Sequence, residues 1–392
     1  MNTIDAILDS LPGLQAAAGA LREQLLANLV MIGEIPAPTG HEQARVEFLL
    51  QRFAEGGLQH CSTDEIHNGA GLLPGTEGQR TLLLAAYADT AVPDDTEQTI
   101  EVETDRVVGP FVVDNCIALA ALATLPALLE KAGVRLRSNV LFLAAARSYG
   151  RGNLEGLKFF LDHAASPVHA GLCVEGVQLG RLNYACLGML RGEITCRLPD
   201  EYNWAQHGAT GSIIPMNDVI TRINRIAVPR RPFTSVVLGM IHGGISHQNI
   251  ARQTTLGLEI RSESAEILQQ LRDQIEDIAE ELSAQSGVVV TADFFARRAP
   301  GGLDRAHPLV RAGHAVLSRL GLAPMTYLTT SGLSAFAARR IPALTLGVTT
   351  GERLGRLDEF DEACAIGPMA TGLAQLAGLL LAADGDPADE PA

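Results

Sequence analysis

The chain has 392 residues, of which 47% are hydrophobic and 19% charged, and its formal net charge at pH 7 is −15. This length and apolar content predict about two domains with a large core. The acidic charge argues against nucleic acid or an anionic membrane as a partner. The N-terminal segment carries two acidic residues before its first basic residue, Arg22, and six cysteines are scattered without a C-x-x-C pair. We therefore expect a cytoplasmic protein with reduced thiols, no signal peptide and no membrane span.

Helices and buried strands alternate through the first part of the chain. Helical periodicity covers 14–35 and 41–56, and a Pro/Gly break at 36–40 separates the two segments. Short continuous apolar runs at 80–89, 139–146 and 169–176 predict strands that are buried on both faces. A long apolar helix is predicted at Cys116–Lys131. After residue 300 the same pattern resumes with a helix at 307–320 and a strand at 343–348.

The middle of the chain has a different pattern. Residues 190–198, 234–244 and 254–262 alternate like half-exposed antiparallel strands, and helices fit at Ile213–Ile226 and Ala265–Ser286. We interpret this stretch as an α+β domain, 189–300, inserted into a discontinuous α/β domain formed by 1–188 and 301–392. The alternative interpretation is one large continuous domain.

Several segments resemble the co-catalytic zinc aminopeptidases and amino-acid deacylases, the acetylornithine deacetylase and tripeptide aminopeptidase group. LLLAAYADTAVP at 82–93 is similar to the end of a core strand that opens into a His-x-Asp-Thr metal-ligand turn. GPFVVDNCIALAAL at 109–122 resembles the turn with the bridging Asp, and VEGVQLGRL at 174–182 resembles a strand that supplies a carboxylate ligand. The resemblance runs from about Ile35 to Leu380. It implies a mixed, mostly parallel sheet sandwiched by helices, with an inserted lid and dimerisation domain and a homodimeric assembly.

The resemblance also shows that most of the metal ligands are replaced. That group holds two zinc ions with histidines and carboxylates, and a separate Glu acts as the general base. The first His falls on Tyr87, the paired glutamates fall on Ser148 and Tyr149, and the final His falls on Gly355. Two of the five ligands, Asp114 and Glu175, are retained. Two carboxylates without an imidazole make a poor zinc site, so no metal and no other cofactor is predicted.

The inserted domain carries predicted substrate-binding residues with similar replacements. The group's Gly-Gly-His-Ser turn falls on 200–203, which puts Tyr202 in place of a His and Asn203 beside it. Gln248 falls on an Asn of the group, whereas the strand-terminal Arg261 survives. In the α/β part, Ser331 falls on the Thr of a Thr-Asp-x-Asn segment.

The replacing side chains are themselves polar and suggest a reshaped pocket. Three of the five tyrosines fall at former metal or catalytic positions. Arg147 is expected to supply the positive charge that zinc once gave, by pairing with Asp114 or Glu175, because buried carboxylates without a countercharge are costly. The alternative is an inert, salt-bridged plug. The predicted catalytic residues are Tyr87, Asp114, Arg147, Ser148, Tyr149 and Glu175.

Two further side chains have alternative roles. Ser148 has no His beside it, so no catalytic triad can be argued. Cys116 is either a thiol activated at a helix start or a small buried hydrophobic residue. Asp89, which would orient the missing His, is expected to accept a hydrogen bond from the backbone or from Arg147.

Three hypotheses on function follow. The first is a metal-independent enzyme in a specialised biosynthetic pathway, acting on a small peptide, an N-acyl amino acid or an aminoacyl-carrier intermediate by amide cleavage, acyl transfer or cyclisation. The second is a pseudoenzyme that binds an amino-acid-like ligand or a protein partner. The third is a zinc-dependent peptidase or deacylase with a rearranged ligand set. The metal content of the protein discriminates the third from the other two.

Overall fold

The computed structural model describes residues 4–91, 98–200, 211–354 and 360–385. They fall into two compact units. The first unit comprises Met1–Ala185, Gly302–Leu328 and Ala335–Ala392, and the second comprises Cys186–Gly301 and Thr329–Ser334. The domain boundaries at 188/189 and 300/301 stay a prediction from the sequence, which did not assign Thr329–Ser334 to the inserted part.

The described residues form ten α-helices and seventeen strands. The helices are α1 Ile4–Gly19, α2 Arg22–Gly33, α3 Gln43–Glu55, α4 Ile117–Lys131, α5 Glu155–His163, α6 Ile213–Ile223, α7 Ala265–Ser286, α8 Pro308–Arg319, α9 Leu333–Ala337 and α10 Met369–Asp384. The strands are β1 Gln59–Thr63, β2 Gly69–Leu73, β3 Thr81–Tyr87, β4 Glu101–Val102, β5 Arg106–Pro110, β6 Asn139–Ala145, β7 Ala170–Val177, β8 Leu182–Asn183, β9 Ala185–Cys186, β10 Gly188–Arg197, β11 Thr234–Gly243, β12 Gln253–Ser262, β13 Val289–Arg298, β14 Gly301–Gly302, β15 Ala343–Thr349, β16 Gly351–Arg353 and β17 Asp361–Ala365.

A seven-stranded sheet forms the centre of the first unit, in the order β1-β2-β6-β3-β7-β15-β8. Strands β6, β3, β7 and β15 are parallel neighbours, and the flanking strands are antiparallel. Strand β3 is almost entirely buried, as expected for an apolar strand in a sheet that helices cover on both faces. The predicted mixed, mostly parallel α/β fold is confirmed.

Helix α4 is the central core helix of the first unit. The stretch Val112–Lys131 is long and apolar enough to cross a membrane, but 89% of its most hydrophobic part is buried within the protein. Its contacts with strands β3 and β7 and with helix α2 account for that burial. Burial of this kind is typical of the core helix of a globular domain.

A second, smaller sheet of the first unit was not predicted from the sequence. It is antiparallel, in the order β16-β17-β5-β4. Its strands are two to five residues long, too short for a period-2 pattern to stand out. Strand β17 brings the buried Glu362 under the turn that carries Asp114.

The second unit is an antiparallel sheet, β11-β12-β10-β13, with helices α6 and α7 against one face. Alternating residues of β10 and β12 pack under these helices, among them Leu190, Ile194 and Leu258. Helix α7 has the bounds predicted from the sequence, because Ser264 caps its N-terminus and Gly287, with a φ of 65°, follows its last residue. The other sheet face is open.

Candidate active-site pocket

The carboxyl ends of the parallel strands bring several predicted catalytic residues together. Tyr87 ends β3 and pairs in register with Ala145, the last residue of β6. Ser148 and Tyr149 follow β6 by three and four residues, and Glu175 lies near the end of the adjacent β7. Since these strands are parallel neighbours, the four side chains share one edge of the sheet.

Asp114 reaches the same edge from the turn Val112–Cys116, which precedes α4. A glycine on β7 makes this approach possible, because a Cβ atom at Gly176 would lie 1.7 Å from the carbonyl oxygen of Val113. Asn115 adds a hydrogen bond from its Nδ2 to the Val174 carbonyl oxygen at 3.4 Å. Glycine after Glu175 therefore sets the spacing between the two retained carboxylates.

Glu362 fixes the Asp114 turn from below. Its Oε2 accepts hydrogen bonds from the backbone N–H groups of Val113 and Asp114, both at 3.0 Å. Burial raises the pKa of Glu362, and these two backbone donors offset part of that rise. Glu362 thus acts as an internal acceptor that positions Asp114.

Asp89 connects the end of β3 to the segment after β6. Its carboxylate accepts hydrogen bonds from Thr39 Oγ1 at 2.8 Å, from the Ser148 backbone N–H at 2.7 Å and from the Tyr149 backbone N–H at 3.0 Å. Ser148 Oγ donates a fourth at 2.5 Å. The backbone contacts agree with one of the two roles expected for Asp89. Burial raises the pKa of Asp89, and the hydrogen bonds lower it in part.

Tyr149 donates a hydrogen bond from its hydroxyl group to the carboxylate of Asp114. Burial, together with the nearby charge of Asp114, raises the pKa of Tyr149 well above its usual value. Burial also raises the pKa of Asp114, although the Tyr149 hydrogen bond opposes this. Tyr149 is therefore a protonated donor throughout the physiological pH range.

Glu175 is paired with an arginine that the sequence reasoning did not select. Arg181 Nη1 contacts Glu175 Oε2 and also donates to the Val177 carbonyl oxygen at 3.0 Å. Burial raises the pKa of Glu175 to about 7, the charge of Arg181 lowers it, and the charge of Asp114 raises it. Glu175 therefore changes protonation near neutral pH.

Arg147 does not provide the positive charge that was predicted for it beside Asp114 and Glu175. The Arg147 side chain pairs with Glu155 at 3.3 Å and is 33% exposed, while its backbone N–H donates to Glu42 Oε1 at 2.9 Å. The expected pairing of Arg147 with Asp114 or Glu175 was therefore wrong. The arginine that pairs with Glu175 is Arg181. A direct catalytic role for Arg147 stays a prediction.

The two possible nucleophiles are both buried. Ser148 Oγ donates to the Asp89 carboxylate, so its proton is already engaged. Cys116 is completely buried, and burial raises the pKa of its thiol. The interpretation of Cys116 as a small buried hydrophobic residue is therefore the one that the structure favours.

The described residues among the predicted substrate-binding residues, Gln248, Arg261 and Ser331, all belong to the second unit. Arg261 Nε donates to Glu259 Oε1 at 2.5 Å, and Arg191 Nε donates to Glu259 Oε2 at 2.8 Å. These three side chains line a pocket of about 340 Å³ on the open sheet face, beside the apolar Val237 and Met240.

Two further predicted substrate-binding residues do not line this pocket. Gln248 is exposed in the turn between β11 and β12, and Ser331 is buried. Tyr202 and Asn203 lie outside the described residues.

The donor set does not fit the binuclear zinc site that the resemblance implies. Tyr87 stands in place of an imidazole, and a phenol is a weak ligand near neutral pH. Ser148 and Tyr149 stand in place of two carboxylates, and Glu175 is engaged by Arg181. Across the described ranges, no three His, Cys, Asp or Glu side chains are arranged to hold a metal ion. The last ligand position, Gly355, falls outside those ranges.

Part of the second unit is similar to a known protein family. Residues 191–286 match the family model described as a peptidase dimerisation domain. Among curated proteins, no sequence matches the chain.

Solved metallopeptidase-like structures are similar to nearly the whole chain. The aminopeptidase PepT from Bacillus cereus is 15% identical, with 93% of this chain and 99% of that chain covered and a TM-score of 0.71. The dipeptidase Dug1p from Saccharomyces cerevisiae is 14% identical, with 95% and 98% covered and a TM-score of 0.76. YxeP from Bacillus subtilis, a dinuclear metal-binding peptidase, is 15% identical, with 93% and 98% covered and a TM-score of 0.63.

These matches confirm the predicted resemblance to the metallopeptidases at the level of the fold. The chain therefore combines a peptidase fold with a peptidase dimerisation domain. Because the identities are low, the likeness defines the scaffold, and the reaction has to be argued from the residues of the pocket.

Sequence reasoning missed three side chains that support the candidate pocket, each of which carried a signal. Arg181 follows Glu175 by six residues, directly after a turn glycine. Glu362 is a buried acid in the short strand β17, directly before the apolar residues Ala363 and Cys364. Arg45 lies on the buried face of α3, where its side chain donates to the carbonyl oxygens of Ile35 and Ala88 at 3.0 and 3.1 Å. A charged residue at a core position was the common signal.

Proposed function

We propose that the chain is a metal-independent enzyme that acts on a carbonyl group of a small peptide, an N-acyl amino acid or an aminoacyl-carrier intermediate. Amide cleavage, acyl transfer or cyclisation in a specialised biosynthetic pathway would each use such a pocket. The observation that carries the proposal is the hydrogen bond from Tyr149 to Asp114, beside the ionisable Glu175. The peptidase fold supports the carbonyl substrate by analogy.

Tyr149 is the proposed donor to the reacting carbonyl oxygen. Its raised pKa keeps the hydroxyl protonated, and a protonated donor stabilises negative charge that develops on a carbonyl oxygen. In the free protein Asp114, held by Glu362 through the backbone, accepts this same proton, so the substrate carbonyl oxygen would replace Asp114 as its acceptor. Tyr87, at the end of the neighbouring strand, is the proposed second donor.

Glu175 is the proposed proton-transfer residue. A carboxyl group whose pKa is about 7 can accept and return a proton at neutral pH. In amide cleavage it would take the proton from the attacking water and deliver it to the leaving nitrogen. Acyl transfer and cyclisation require the same proton movement with an amine or hydroxyl group in place of the water.

A catalytically inactive binding protein is the second candidate. The ion pair between Glu175 and Arg181 and the four hydrogen bonds to Asp89 satisfy much of the pocket internally. Such internal satisfaction is what an inert plug in a former active site requires. In this case the chain would bind an amino-acid-like ligand or a protein partner without turnover.

We further propose a cytoplasmic homodimer that assembles through the second unit. The match to a peptidase dimerisation domain supports assembly there. Edge strand β11 and the loop after it expose apolar side chains, including Ile241 at 56% and Ile245 at 88%. An exposed apolar edge strand favours pairing with a second chain. The six cysteines are all free thiols, as expected for the cytoplasm.

Turnover in the presence of a chelator tests the proposed enzyme. The purified protein is incubated with dipeptides, N-acyl amino acids and aminoacyl thioesters, and products are measured by mass spectrometry. Tyr149→Phe is expected to lower turnover roughly 100-fold. Tyr327→Phe changes an exposed tyrosine of the same unit and serves as the matched control.

Two results would decide between the candidates. Wild-type turnover in Tyr149→Phe would contradict the role proposed for this hydroxyl group. Ligands that raise the melting temperature but are never converted would favour the binding protein.

A further inference from the structure

We infer that Arg181 takes the place of a metal ion in the first unit, as the fixed positive charge that balances the former ligand carboxylates. The inference deepens the proposed function, since metal independence is part of it. It concerns the charge of the pocket and the uptake of zinc, both of which can be measured without a substrate.

A tight turn after β7 delivers the Arg181 side chain. The Arg181 backbone N–H donates to the Gln178 carbonyl oxygen at 3.0 Å. Gly180 has a φ of 89°, and a Cβ atom there would lie 2.9 Å from the Ala323 carbonyl oxygen, so the turn favours glycine. Gln375 Oε1 accepts from the Gly180 N–H at 3.2 Å. The turn thus directs the Arg181 side chain back toward strand β7.

The guanidinium group lies against the carboxylate that the resemblance assigns to a metal. Arg181 contacts Glu175 and the Val177 carbonyl oxygen through Nη1, and its side chain is only 13% exposed. Its charge also acts on Asp114, the other retained ligand position. Arg181 therefore contacts one of the two carboxylates that remain of the ligand set, and its charge lowers the pKa of the other.

Two arginines offset part of the negative charge of the pocket without a divalent ion. The charges of Arg353 and Arg181 both lower the pKa of Asp114, and that of Arg181 also lowers the pKa of Glu175. The third acid, Glu362, accepts from two backbone N–H groups and lies 3.9 Å from Arg353. A zinc ion beside Glu175 would have to displace Arg181 or bear its repulsion.

Arg147 provides a matched contrast in the same unit. Both arginines pair with a glutamate, but the partner of Arg147, Glu155, has a side chain that is 49% exposed. Exposed pairs contribute about 0–1 kcal/mol to stability. Removing one partner of a buried pair is much more costly, because the remaining charge is left uncompensated.

Guanidinium rescue and zinc titration test the inference together. Melting temperatures are measured for wild type, Arg181→Ala, Arg181→Lys and Arg147→Ala, each with low millimolar guanidinium chloride, with sodium chloride at equal ionic strength, or with zinc chloride. Arg181→Ala is expected to melt roughly 10 °C below wild type. Guanidinium, but not sodium, should recover part of that loss. Arg147→Ala should melt like wild type and show no rescue.

The zinc titration of the wild type needs no variant, so the inference remains testable if Arg181→Ala does not fold. We expect no zinc binding by calorimetry and no zinc-induced rise in melting temperature for the wild type. Arg181→Lys, which retains the charge, should fold and melt between the wild type and Arg181→Ala. Tight zinc binding with Arg181 in place, or wild-type melting of Arg181→Ala, would overturn the inference. Neither result depends on whether a substrate is turned over.

Discussion

The two units differ in the exposure of the arginines that pair with their carboxylates. In the first unit, the carboxylates of the candidate pocket are largely buried and accept hydrogen bonds from backbone, hydroxyl and guanidinium groups. In the second unit Glu259 is also largely buried, but its partners Arg191 and Arg261 are 30% and 45% exposed. A buried polar or charged group that loses its partner destabilises the folded protein far more than an exposed group does.

This difference separates stability from binding. A substitution in the pocket of the first unit should change the free energy of unfolding and its pH dependence, together with any chemistry. A substitution on the open face of the second unit should change binding or assembly and leave folding nearly unchanged. Four substitutions test this contrast.

Asp89→Ala should have the largest effect on stability. It removes the acceptor of four hydrogen bonds, including those from the buried backbone N–H group of Ser148 and the partly buried one of Tyr149. We expect the free energy of unfolding to fall by roughly 3–5 kcal/mol in urea titrations. Asp162→Ala, which removes an exposed partner of Arg339, is the control and should cost below about 1 kcal/mol. Equal costs in the two variants would refute the contrast.

Glu175→Gln should flatten the pH dependence of stability. The pKa of Glu175 is raised to about 7 in the folded protein, so the folded state binds more protons than the unfolded state between about pH 4.5 and 7. In the wild type this group therefore removes stability as pH rises through that window, by an amount on the order of 3 kcal/mol. Urea titrations from pH 5 to 8.5 measure the slope.

A control variant and a contrary outcome can be stated for the pH dependence of the free energy of unfolding. Glu280→Gln changes an exposed glutamate on α7 and should keep the wild-type slope. A wild-type slope in Glu175→Gln would contradict the ionisation assigned to Glu175.

Arg261→Met should affect binding more than folding. Its side chain is 45% exposed, so the free energy of unfolding should change by less than about 1 kcal/mol. If Arg261 holds a substrate carboxylate, affinity for dipeptides should fall roughly 10- to 100-fold, with little change for dipeptide amides. Calorimetry with both ligand series measures this. Arg272→Met, on helix α7, is the control, and equal loss of affinity there would argue against a specific role.

Ile241→Lys should change assembly with the smallest effect on folding. The side chain lies on edge strand β11 and is largely exposed, so a charge there should oppose pairing with a second chain. We expect light scattering after size exclusion to show a dimer for the wild type and a monomer for the variant. Val289→Lys, on the opposite edge strand β13, should remain dimeric. A dimer for both variants would exclude the β11 edge as the interface.

The fold was largely predictable because its core strands and helices carry strong patterns. The continuous apolar runs of β3, β6, β7 and β15 and the capped helix α7 were recognised from sequence alone. The predicted helix at 14–35 is two helices instead, α1 and α2, which separate near Gly19, a weak helix former. The β16-β17-β5-β4 sheet was missed because long-range pairing of such short strands leaves little local pattern.

The sequence predicted which residues lie at the candidate site but not which arginine pairs with its carboxylates. The resemblance selected Tyr87, Asp114, Tyr149 and Glu175, which the structure brings to one edge of the sheet. It could not select Arg181, because which arginine reaches a carboxylate depends on the turn at Gly180 and not on proximity to an aligned ligand. Arg147 was the nearer candidate in the alignment, but its side chain pairs with Glu155.

The metal content of the purified protein tests the central claim most directly. The protein would be expressed and purified without added metal, dialysed mildly, and examined by elemental analysis. Our account predicts no retained zinc, because Arg181 balances Glu175 and tyrosine and serine side chains replace the other ligands. About two zinc ions per chain, the content of a binuclear site, would contradict the account and identify a zinc hydrolase with a rearranged ligand set.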